Sequence, residues 1–278
     1  MRMENPVNFD PVKHRYYVED VDGEIEYISV SNYINTLKTP FDRTGVLDRI
    51  MIAARDKPGH KYHMKSKSDI LTEWEENGKL ASARGTLLHF CIETYLKEEA
   101  LGEKPNCFPV AVQESQDTDS DLVAYWRGFV NFRAAYPWKL TFSERILASS
   151  EYKIAGTPDV LFEDPDHPGY HILVDWKSTK PLKKEVTRYT KYFTHWAVMN
   201  LPDTNYWSYC LQLSLYSMML KEQGYKISRA CVVRFGHGTG NSLYEITEMD
   251  FLDANIKNLL CSRKLEIKIY NQKNEDNE

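Results

Sequence analysis

Three side chains that can act on a phosphate ester lie close together in the sequence. Asp159 ends a GTPD stretch that begins at Gly156, and Asp175 and Lys177 flank one tryptophan in DWK. Two neighbouring carboxylates repel each other unless a cation lies between them, and Mg²⁺ and Mn²⁺ prefer oxygen ligands of this kind. Such a metal can activate water and neutralise charge on a phosphate, while Lys177 can orient the water or stabilise the pentavalent phosphate.

A β-hairpin is the element that would bring these residues together. Residues 170–179 are rich in β-forming side chains, and strand alternation aims Asp175 and Lys177 at the same face. The opposite face of this strand is predicted to consist of Ile172, Val174 and Trp176. Residues 153–162 form the preceding strand, and the connection EDPDHPG is dense in turn-forming residues. Asp159 is therefore expected where the first strand bends, facing Asp175 across the hairpin.

An exposed hairpin with a cross-strand salt bridge is the alternative, and it is the commoner structure for a bare D-x-K pattern. The upstream Gly-x-Pro-Asp and the hydrophobic strand favour the metal site here. GTPD at 156–159 and DWK at 175–177 together resemble the signature of the PD-(D/E)-x-K nuclease superfamily, over roughly residues 84–235. The resemblance implies an α/β fold with a restriction-endonuclease-like core, a mixed central β-sheet flanked by helices, and a helical N-terminal elaboration. It also implies that Asp159, Asp175 and the Trp176 carbonyl are metal ligands.

A helix at residues 84–100 carries the first of three features that resemble the RecB-like branch, which includes phage-type exonucleases. Its apolar stripe consists of Leu88, Ile92, Tyr95 and Leu96. His89 and Glu93 lie one turn apart at the border of that stripe, which by itself indicates a packed histidine hydrogen-bonded to its neighbour. The stretch GTLLHFCIE is similar to the Gly-Thr-x-x-His-x-x-x-Glu helix of the branch. This similarity implies that His89 completes the metal shell, with Glu93 as an accessory candidate.

A strand glutamate and a helical Gln–Tyr pair are the other two features. Glu144 interrupts an apolar run at 140–149, where a carboxylate is costly unless it is paired or bound to metal. The resemblance implies that it belongs to the periphery of the metal site, and an outward-facing glutamate is the alternative. Gln212 and Tyr216 lie one turn apart on a predicted helix at 206–223, in a QLSLY stretch similar to the Q-x-x-x-Y element. That element implies contacts to nucleic acid near the catalytic centre.

A basic segment follows the proposed catalytic lysine. Residues 177–191 contain a single acidic residue, Glu185, and six basic residues, Lys177, Lys180, Lys183, Lys184, Arg188 and Lys191. This concentration of charge predicts a path for a phosphate backbone, to which Lys180, Lys183, Lys184 and Arg188 would bind. The interleaved aromatic residues Tyr189, Tyr192, Phe193 and Trp196 can stack on bases. A solvated loop with a few packing aromatics is the alternative.

The pattern predicts three regions: an N-terminal elaboration at 1–80, the nuclease core at 81–268 and a disordered polar tail at 269–278. The elaboration should begin with a hairpin that turns near residue 22 and continue with helices at 29–37, 41–55 and 69–76, the last ending at Gly78. A further helix is expected at 121–136. The core should end with a hairpin of strands 228–235 and 242–247 and a helix from 249 to about 264.

Composition limits the classes of partner and cofactor. The chain of 278 residues has a net charge of −5, so nucleic acid must be held by a local patch. Its five cysteines form no C-x-x-C pair and no C-terminal cluster, so we expect no iron–sulfur cluster. The sequence contains no Walker motif, so we expect no ATP binding. The N-terminal sequence has no signal-peptide pattern and no apolar run has the length of a membrane span. We therefore expect a protein that is not secreted, in the cytoplasm of a bacterium or an infected host cell.

The function predicted from these features is Mg²⁺- or Mn²⁺-dependent hydrolysis of DNA. The resemblance favours an exonuclease that acts on single-stranded or duplex DNA ends in replication, recombination or repair. A structure-specific endonuclease acting on DNA or RNA is one alternative. A nucleic-acid-binding module that has lost catalysis is the other.

Overall fold

The computed structural model describes residues 6–11, 13, 15–20, 23–105, 120–178, 180–182, 184–188, 190–236 and 239–275. Cys107, Lys183 and Tyr189 therefore lie outside the described residues. The helices in the described part are α1 Val30–Thr36, α2 Arg43–Ala54, α3 Lys67–Ala100, α4 Ser120–Ala135, α5 Asn205–Glu222 and α6 Asp253–Glu275. The strands are β1 Asn8–Asp10, β2 Arg15–Asp20, β3 Gly23–Ser29, β4 Leu140–Ser143, β5 Leu147–Ser149, β6 Ile154–Gly156, β7 Val160–Glu163, β8 His171–Lys177, β9 Ile227–Phe235 and β10 Tyr244–Glu248. None of the described helices is both long enough and apolar enough to cross a membrane.

The central sheet has the strand order β10-β9-β8-β7-β4. It is mixed, because β8 and β9 run parallel while the other neighbouring strands run antiparallel. The predicted hairpin is confirmed as β7 and β8, which pair with Val160 opposite Val174 and Glu163 opposite His171. The expected α/β class with a mixed sheet flanked by helices is confirmed as well.

Strand alternation divides the hydrophobic core between the two faces of the central sheet. On one face, Ile172, Val174 and Trp176 pack against residues of α3 and α4, as the alternation of β8 predicts. On the other face, Leu173 packs against residues of α1, α5 and α6. Both faces are covered by helices, which explains why β8 is apolar along most of its length.

A second, N-terminal sheet has the strand order β1-β2-β3-β6-β5, in which β3 and β6 run parallel. The predicted hairpin near residue 22 is confirmed as β2 and β3. The continuous strands predicted at 140–149 and 153–162 are wrong, because each is divided between the two sheets. Glu144 lies at the break between β4 and β5, and its φ of 49° is in the left-handed region, which is incompatible with a regular strand. Strands β1, β2 and β3 of this sheet belong to the N-terminal elaboration, which combines them with helices α1 and α2.

A single helix, α3, replaces the two helices predicted at 69–76 and 84–100. It begins after Ser66, whose side chain and that of Asp69 form a capping box, and it continues through Gly78 without interruption. The neighbours of Gly78 are mostly strong helix formers, and the cost of about 1 kcal/mol for one glycine is too small to end such a helix. The proposed boundary between residues 80 and 81 falls inside α3.

The last helix also differs from its prediction. Helix α6 begins at Asp253 instead of residue 249 and extends to Glu275, well past residue 264. Residues 265–275 consist largely of Leu, Ile, Lys, Gln, Asn and Glu, most of which have good helix propensity even without a buried face. Helix α6 thus includes residues 269–275 of the tail for which disorder is predicted, and 276–278 lie outside the described residues.

Replacement of Gly78 by alanine should stabilise the protein by about 0.5–1 kcal/mol. A Cβ atom at this position meets no atom within 4 Å, and the backbone is helical, so alanine only reduces the conformational freedom of the unfolded chain. Thermal unfolding of Gly78→Ala should show a midpoint about 1–4 °C higher than wild type. An unchanged or lower midpoint would contradict a continuous α3.

Candidate active site

The carboxylate of Asp159 is fixed by two groups from different elements. Its Oδ2 atom accepts a hydrogen bond from the Trp176 main-chain N–H at 2.6 Å, across the β7–β8 pair. Its Oδ1 atom lies 3.4 Å from Nδ1 of His89 on α3. The other ring nitrogen of His89, Nε2, lies 3.2 Å from the Trp176 carbonyl oxygen and donates to it. His89 therefore links the Asp159 carboxylate, through Nδ1, to the Trp176 carbonyl, through Nε2, at the end of β8.

The carboxylate of Asp175 is held by a different pair of residues. Its Oδ2 atom forms an ion pair of 2.6 Å with the ammonium group of Lys177, two residues further along the same face of β8. Its Oδ1 atom accepts a hydrogen bond of 3.1 Å from the side-chain amide of Gln212 on α5. The Lys177 ammonium also lies 5.2 Å from the centre of the Tyr209 ring, where a cation–π contact is favourable.

Glu144 reaches the site because the strand that contains it is broken. Its main-chain N–H donates to the Asp159 carbonyl at 3.0 Å, and its carboxylate lies 3.6 Å from Nδ1 of His89. The φ of 49° is unusual for a residue with a side chain and costs of the order of 1 kcal/mol. Backbone strain of this kind is often found at functional sites, and here it turns the Glu144 carboxylate towards His89.

Burial and charge set the protonation states around His89. Burial lowers the pKa of this imidazole, but the carboxylates of Asp159 and Glu144 outweigh burial and raise it to about 10. Burial raises the pKa of Asp159, but the positive charges of His89 and Lys177 outweigh it, so the net shift is downward. The pKa of Glu144 is raised, chiefly by burial. Without metal, the single positive charge of a protonated His89 thus partly compensates the two carboxylates beside it.

The same competition between burial and neighbouring charges sets the protonation states of Asp175 and Lys177. Burial raises the pKa of Asp175, and the nearby Lys177 ammonium only partly reverses the shift. Burial lowers the pKa of Lys177, but Asp175 and Asp159 outweigh it and raise that pKa above its ordinary value. Lys177 is therefore a cation at neutral pH and remains beside Asp175.

The donor atoms of the site fit a divalent cation. One ligand atom each from His89, Glu144 and Asp159 lies within 4.8 Å of the others. The Trp176 carbonyl oxygen is hydrogen-bonded to Nε2 of His89 beside this group. Oxygen atoms dominate this set, which suits Mg²⁺ or Mn²⁺, and one imidazole is compatible with Mn²⁺. The structure brings Glu144 into this cluster, whereas Asp175 faces Lys177 and Gln212. His89 must lose its proton to become a ligand.

Tyr216 is placed differently from its predicted role. Its ring is only 5% exposed, and its hydroxyl group donates to the Thr157 carbonyl at 3.4 Å. A Cβ atom on Gly156 would lie 2.8 Å from the Tyr216 ring, so this glycine is required for the contact. Contact of Tyr216 with nucleic acid is therefore not possible in this conformation, because the ring is buried beneath the turn that carries Asp159.

Tyr16 supports the turn that carries Asp159, and the sequence gives no signal for this contact. It lies on β2, in the N-terminal sheet, and its hydroxyl group is hydrogen-bonded to Oγ1 of Thr157 at 3.0 Å. Tyr16 and Tyr216 thus fix the main chain and the side chain of the same residue, two positions before Asp159. Only the tertiary pairing of β3 with β6 brings Tyr16 to this place.

A shallow cleft of about 440 Å³ opens beside the metal-ligand cluster. Its lining residues are Gly85, Thr86, His89, Phe90, Glu93 and Glu144. Glu93 faces the cleft but forms an ion pair with Lys97 one turn further along α3. The structure therefore places Glu93 beside the metal-ligand cluster and not within it.

The basic segment is mostly exposed. Lys180, Lys184 and Arg188 are all on the surface, and Lys184 forms an ion pair of 2.5 Å with Asp250. Among the interleaved aromatic residues, Tyr192 and Trp196 are 48% and 58% exposed, whereas Phe193 is buried in the core. Lys180 and Arg188 are thus accessible to a phosphate backbone, and Phe193 is a packing residue.

A mixed sheet that presents Asp159, Asp175 and Lys177 from one hairpin, with a helical histidine closing the cation site, defines a nuclease of the restriction-endonuclease-like class. The sequence profile of the PD-(D/E)XK nuclease superfamily matches residues 59–255, which is more than half of the chain. The chain belongs to this superfamily, whose members are metal-dependent nucleases, and the RecB-like branch is consistent with the match. No curated protein matches the chain.

Replacement of Gly156 by alanine should destabilise the protein, in contrast to Gly78→Ala. The new methyl group would approach the Tyr216 ring at 2.8 Å and Cγ2 of Val30 at 3.1 Å, inside a fully buried strand. Overpacking of this kind costs about 1–3 kcal/mol. Denaturant unfolding of both variants measures the difference. Equal stability of Gly156→Ala and wild type would show that Tyr216 is not packed under this turn.

Mn²⁺ should stabilise the wild-type protein through the metal-ligand cluster. A ligand that binds only the folded state stabilises it by about 2.7 kcal/mol at one hundred times its dissociation constant. The midpoint of thermal unfolding should therefore rise with Mn²⁺, and Asp159→Asn or Glu144→Gln should reduce this rise. Glu93→Gln is the matched control, because it removes a carboxylate from the same cleft outside the cluster. A rise that survives Asp159→Asn would place the metal elsewhere.

Proposed function

We propose that this chain is a divalent-metal-dependent deoxyribonuclease that hydrolyses phosphodiester bonds at DNA ends. The observation that carries the proposal is the convergence of His89, Glu144 and Asp159 within 4.8 Å, beside the Asp175–Lys177 pair. An inactive binding module has no need to bury two carboxylates, Asp159 and Asp175, near a strained glutamate, because each of these features costs stability.

The metal would be held by His89, Glu144, Asp159 and the Trp176 carbonyl, and when bound it would supply Lewis-acid activation of water and neutralise charge on the phosphate. Asp175 adjoins this cluster and would complete it. The Trp176 N–H and the turn at residues 156–159 hold the Asp159 carboxylate in place, so its orientation is set before any ligand arrives. Such preorganisation avoids reorganisation during the reaction.

Lys177 would be the group that acts on the reacting atoms. Its ammonium is kept protonated by Asp175 and Asp159, and the Tyr209 ring limits its freedom on the other side. A cation at this position can orient the attacking water or stabilise the pentavalent phosphate. Gln212 is a positioning residue, because its amide fixes the oxygen of Asp175 that Lys177 does not occupy.

The resemblance to RecB-like nucleases supports the choice of DNA ends as substrate. The net charge of −5 argues against a protein that binds duplex DNA tightly and supports an enzyme that releases its substrate. The exposed Lys180 and Arg188 beyond the catalytic lysine would hold the phosphate backbone. An exonuclease of this kind would serve replication, recombination or repair, in a bacterial cell or in a cell infected by a phage.

Digestion of end-labelled linear DNA with Mg²⁺ or Mn²⁺ tests this function. The wild-type protein should shorten single-stranded or duplex DNA from its ends and leave covalently closed circles intact. Lys177→Ala should lower the rate by about 10²–10³-fold, since loss of one charge-stabilising group in an active site typically has this effect. Lys268→Ala, on the exposed surface of α6, is the matched control and should cut as fast as wild type.

Other results identify the alternatives. Nicking of supercoiled circles would indicate an endonuclease, and faster cleavage of a matched RNA oligonucleotide would indicate a ribonuclease. Equal cleavage by wild type and Lys177→Ala would show that the site lies elsewhere. Mn²⁺ binding without cleavage of DNA or RNA would show that the chain is a binding module.

A further inference from the structure

A second cleft lies on the N-terminal part of the molecule, outside the catalytic cluster, which consists of His89, Glu144, Asp159, Asp175 and Lys177. It has a volume of about 640 Å³, a size typical of sites for small ligands. One wall is the loop between α1 and α2 together with the first turns of α2, including Lys38, Phe41 and Arg49. The other wall contains Lys191 and Asp203. Residues 35–49 precede the range 59–255 that the superfamily profile matches.

The two walls are joined by direct contacts. The main-chain N–H and the hydroxyl group of Thr194 both donate to the Leu37 carbonyl, at 2.8 and 3.0 Å. The ammonium of Lys38 lies 3.7 Å from the carboxylate of Asp203, whose N–H donates to the Lys191 carbonyl at 2.7 Å. The cleft is therefore a built feature whose walls are fixed relative to each other.

The charged side chains that line the cleft, three cations and two carboxylates, leave it a net charge of +1. Asp203 is paired with Lys38, whereas the Asp42 carboxylate keeps its charge and accepts a hydrogen bond from the Gly45 N–H at the start of α2. Neither Arg49 nor Lys191 forms an ion pair with a carboxylate of a described residue, and both are exposed. Two unpaired cations that face one cleft in a net-negative protein indicate an anionic ligand.

The cleft also carries an aromatic ring with no packing role. Phe41 is 70% exposed, although a phenylalanine of a folded chain is usually buried. An exposed ring beside cations is the combination that binds single-stranded nucleic acid, because bases stack on the ring while phosphates contact the cations. This combination distinguishes a nucleic-acid strand from a simple anion, which needs no ring.

Helix α1 links the neighbourhood of the Gly156 turn to the second cleft. Helix α1 begins at Val30, whose side chain contacts the position of Gly156, and it ends at Thr36, just before the cleft. Its seven residues advance the chain by about 10 Å. The basic segment ends at Lys191, which lines the opposite wall of the cleft.

We propose that this second cleft binds an unpaired nucleotide of the substrate strand, with its base stacked on Phe41 and its phosphates against Arg49 and Lys191. This inference rests on the proposed function, because it assigns the strand that is cut at the catalytic cluster to the cleft. The N-terminal elaboration would then hold the substrate strand at a second point, outside the site of cleavage.

Binding of fluorescein-labelled dT12 to the full chain in EDTA tests the proposal, since no metal is present for cleavage. We expect Phe41→Ala/Arg49→Ala to raise the dissociation constant about tenfold, because one stacked base and one phosphate contact are lost. The salt dependence should also weaken, by about 0.7 in the slope of log K against log[salt]. Anisotropy titrations at several salt concentrations measure both quantities.

Matched variants separate this effect from general loss of charge or fold. Lys268→Ala/Tyr270→Ala removes one cation and one exposed ring from α6, where Tyr270 is 66% exposed, and should leave the affinity unchanged. Phe41→Tyr keeps the ring and should bind dT12 within about twofold of wild type, because stacking depends on the π-face.

Three results would overturn the inference. The first is equal affinity and salt dependence of Phe41→Ala/Arg49→Ala and wild type, and the second is failure of wild type to bind dT12. The third is an equal loss for a blunt duplex of the same length, which offers no unpaired base. Failure of the proposed function gives a different result, namely no metal-dependent cleavage of DNA by wild type whatever its affinity for dT12.

Discussion

Two carboxylates that are almost completely buried, Asp159 at 8% and Asp175 at 1% exposure, impose the main constraint on this structure. Buried carboxylates are costly unless positive charge and hydrogen bonds compensate them. The protein meets this need with two cations, His89 for Asp159 and Lys177 for Asp175, and with polar groups of Trp176 and Gln212. A divalent metal would replace the proton of His89, so the same compensation that stabilises the fold prepares the site.

The breaks in two strands follow from this constraint. A continuous strand across residues 140–149 would alternate its side chains and keep Glu144 within one sheet. The left-handed turn at Glu144 instead carries the chain from the central sheet to the N-terminal sheet and directs its carboxylate at His89. The second break, at residues 157–159, lies between β6 and β7, so Asp159 is not part of a strand. The site therefore lies where the two sheets separate, because only there can side chains converge from both.

The local part of this arrangement follows from sequence patterns, and the tertiary part does not. The alternation of β8 predicts which side chains share a face, since a period of two is dictated by strand geometry alone. The motif resemblance adds His89 and Glu144, which spacing cannot connect to Asp159. The burial of Tyr216 and the contact of Tyr16 with Thr157 could not be predicted, because they depend on how β6 pairs with β3 and how α5 packs under Gly156. The prediction that a helix ends at Gly78 fails for a local reason, because one glycine weighs less than the strong helix formers on both sides of it.

The N-terminal elaboration and the core are interdependent for the same physical reason. Strand β6 is buried between β5 and β3, so removal of β3 would expose its unpaired main-chain groups and the adjoining Gly156 turn. Removal of residues before 81 would also shorten α3, the helix that presents His89, and delete its capping box at Ser66. Loss of Tyr16 would leave the Thr157 hydroxyl without this partner, two residues from Asp159. The orientation of the Asp159 carboxylate thus depends on residues far outside the motifs, and the N-terminal strands help to build the candidate site.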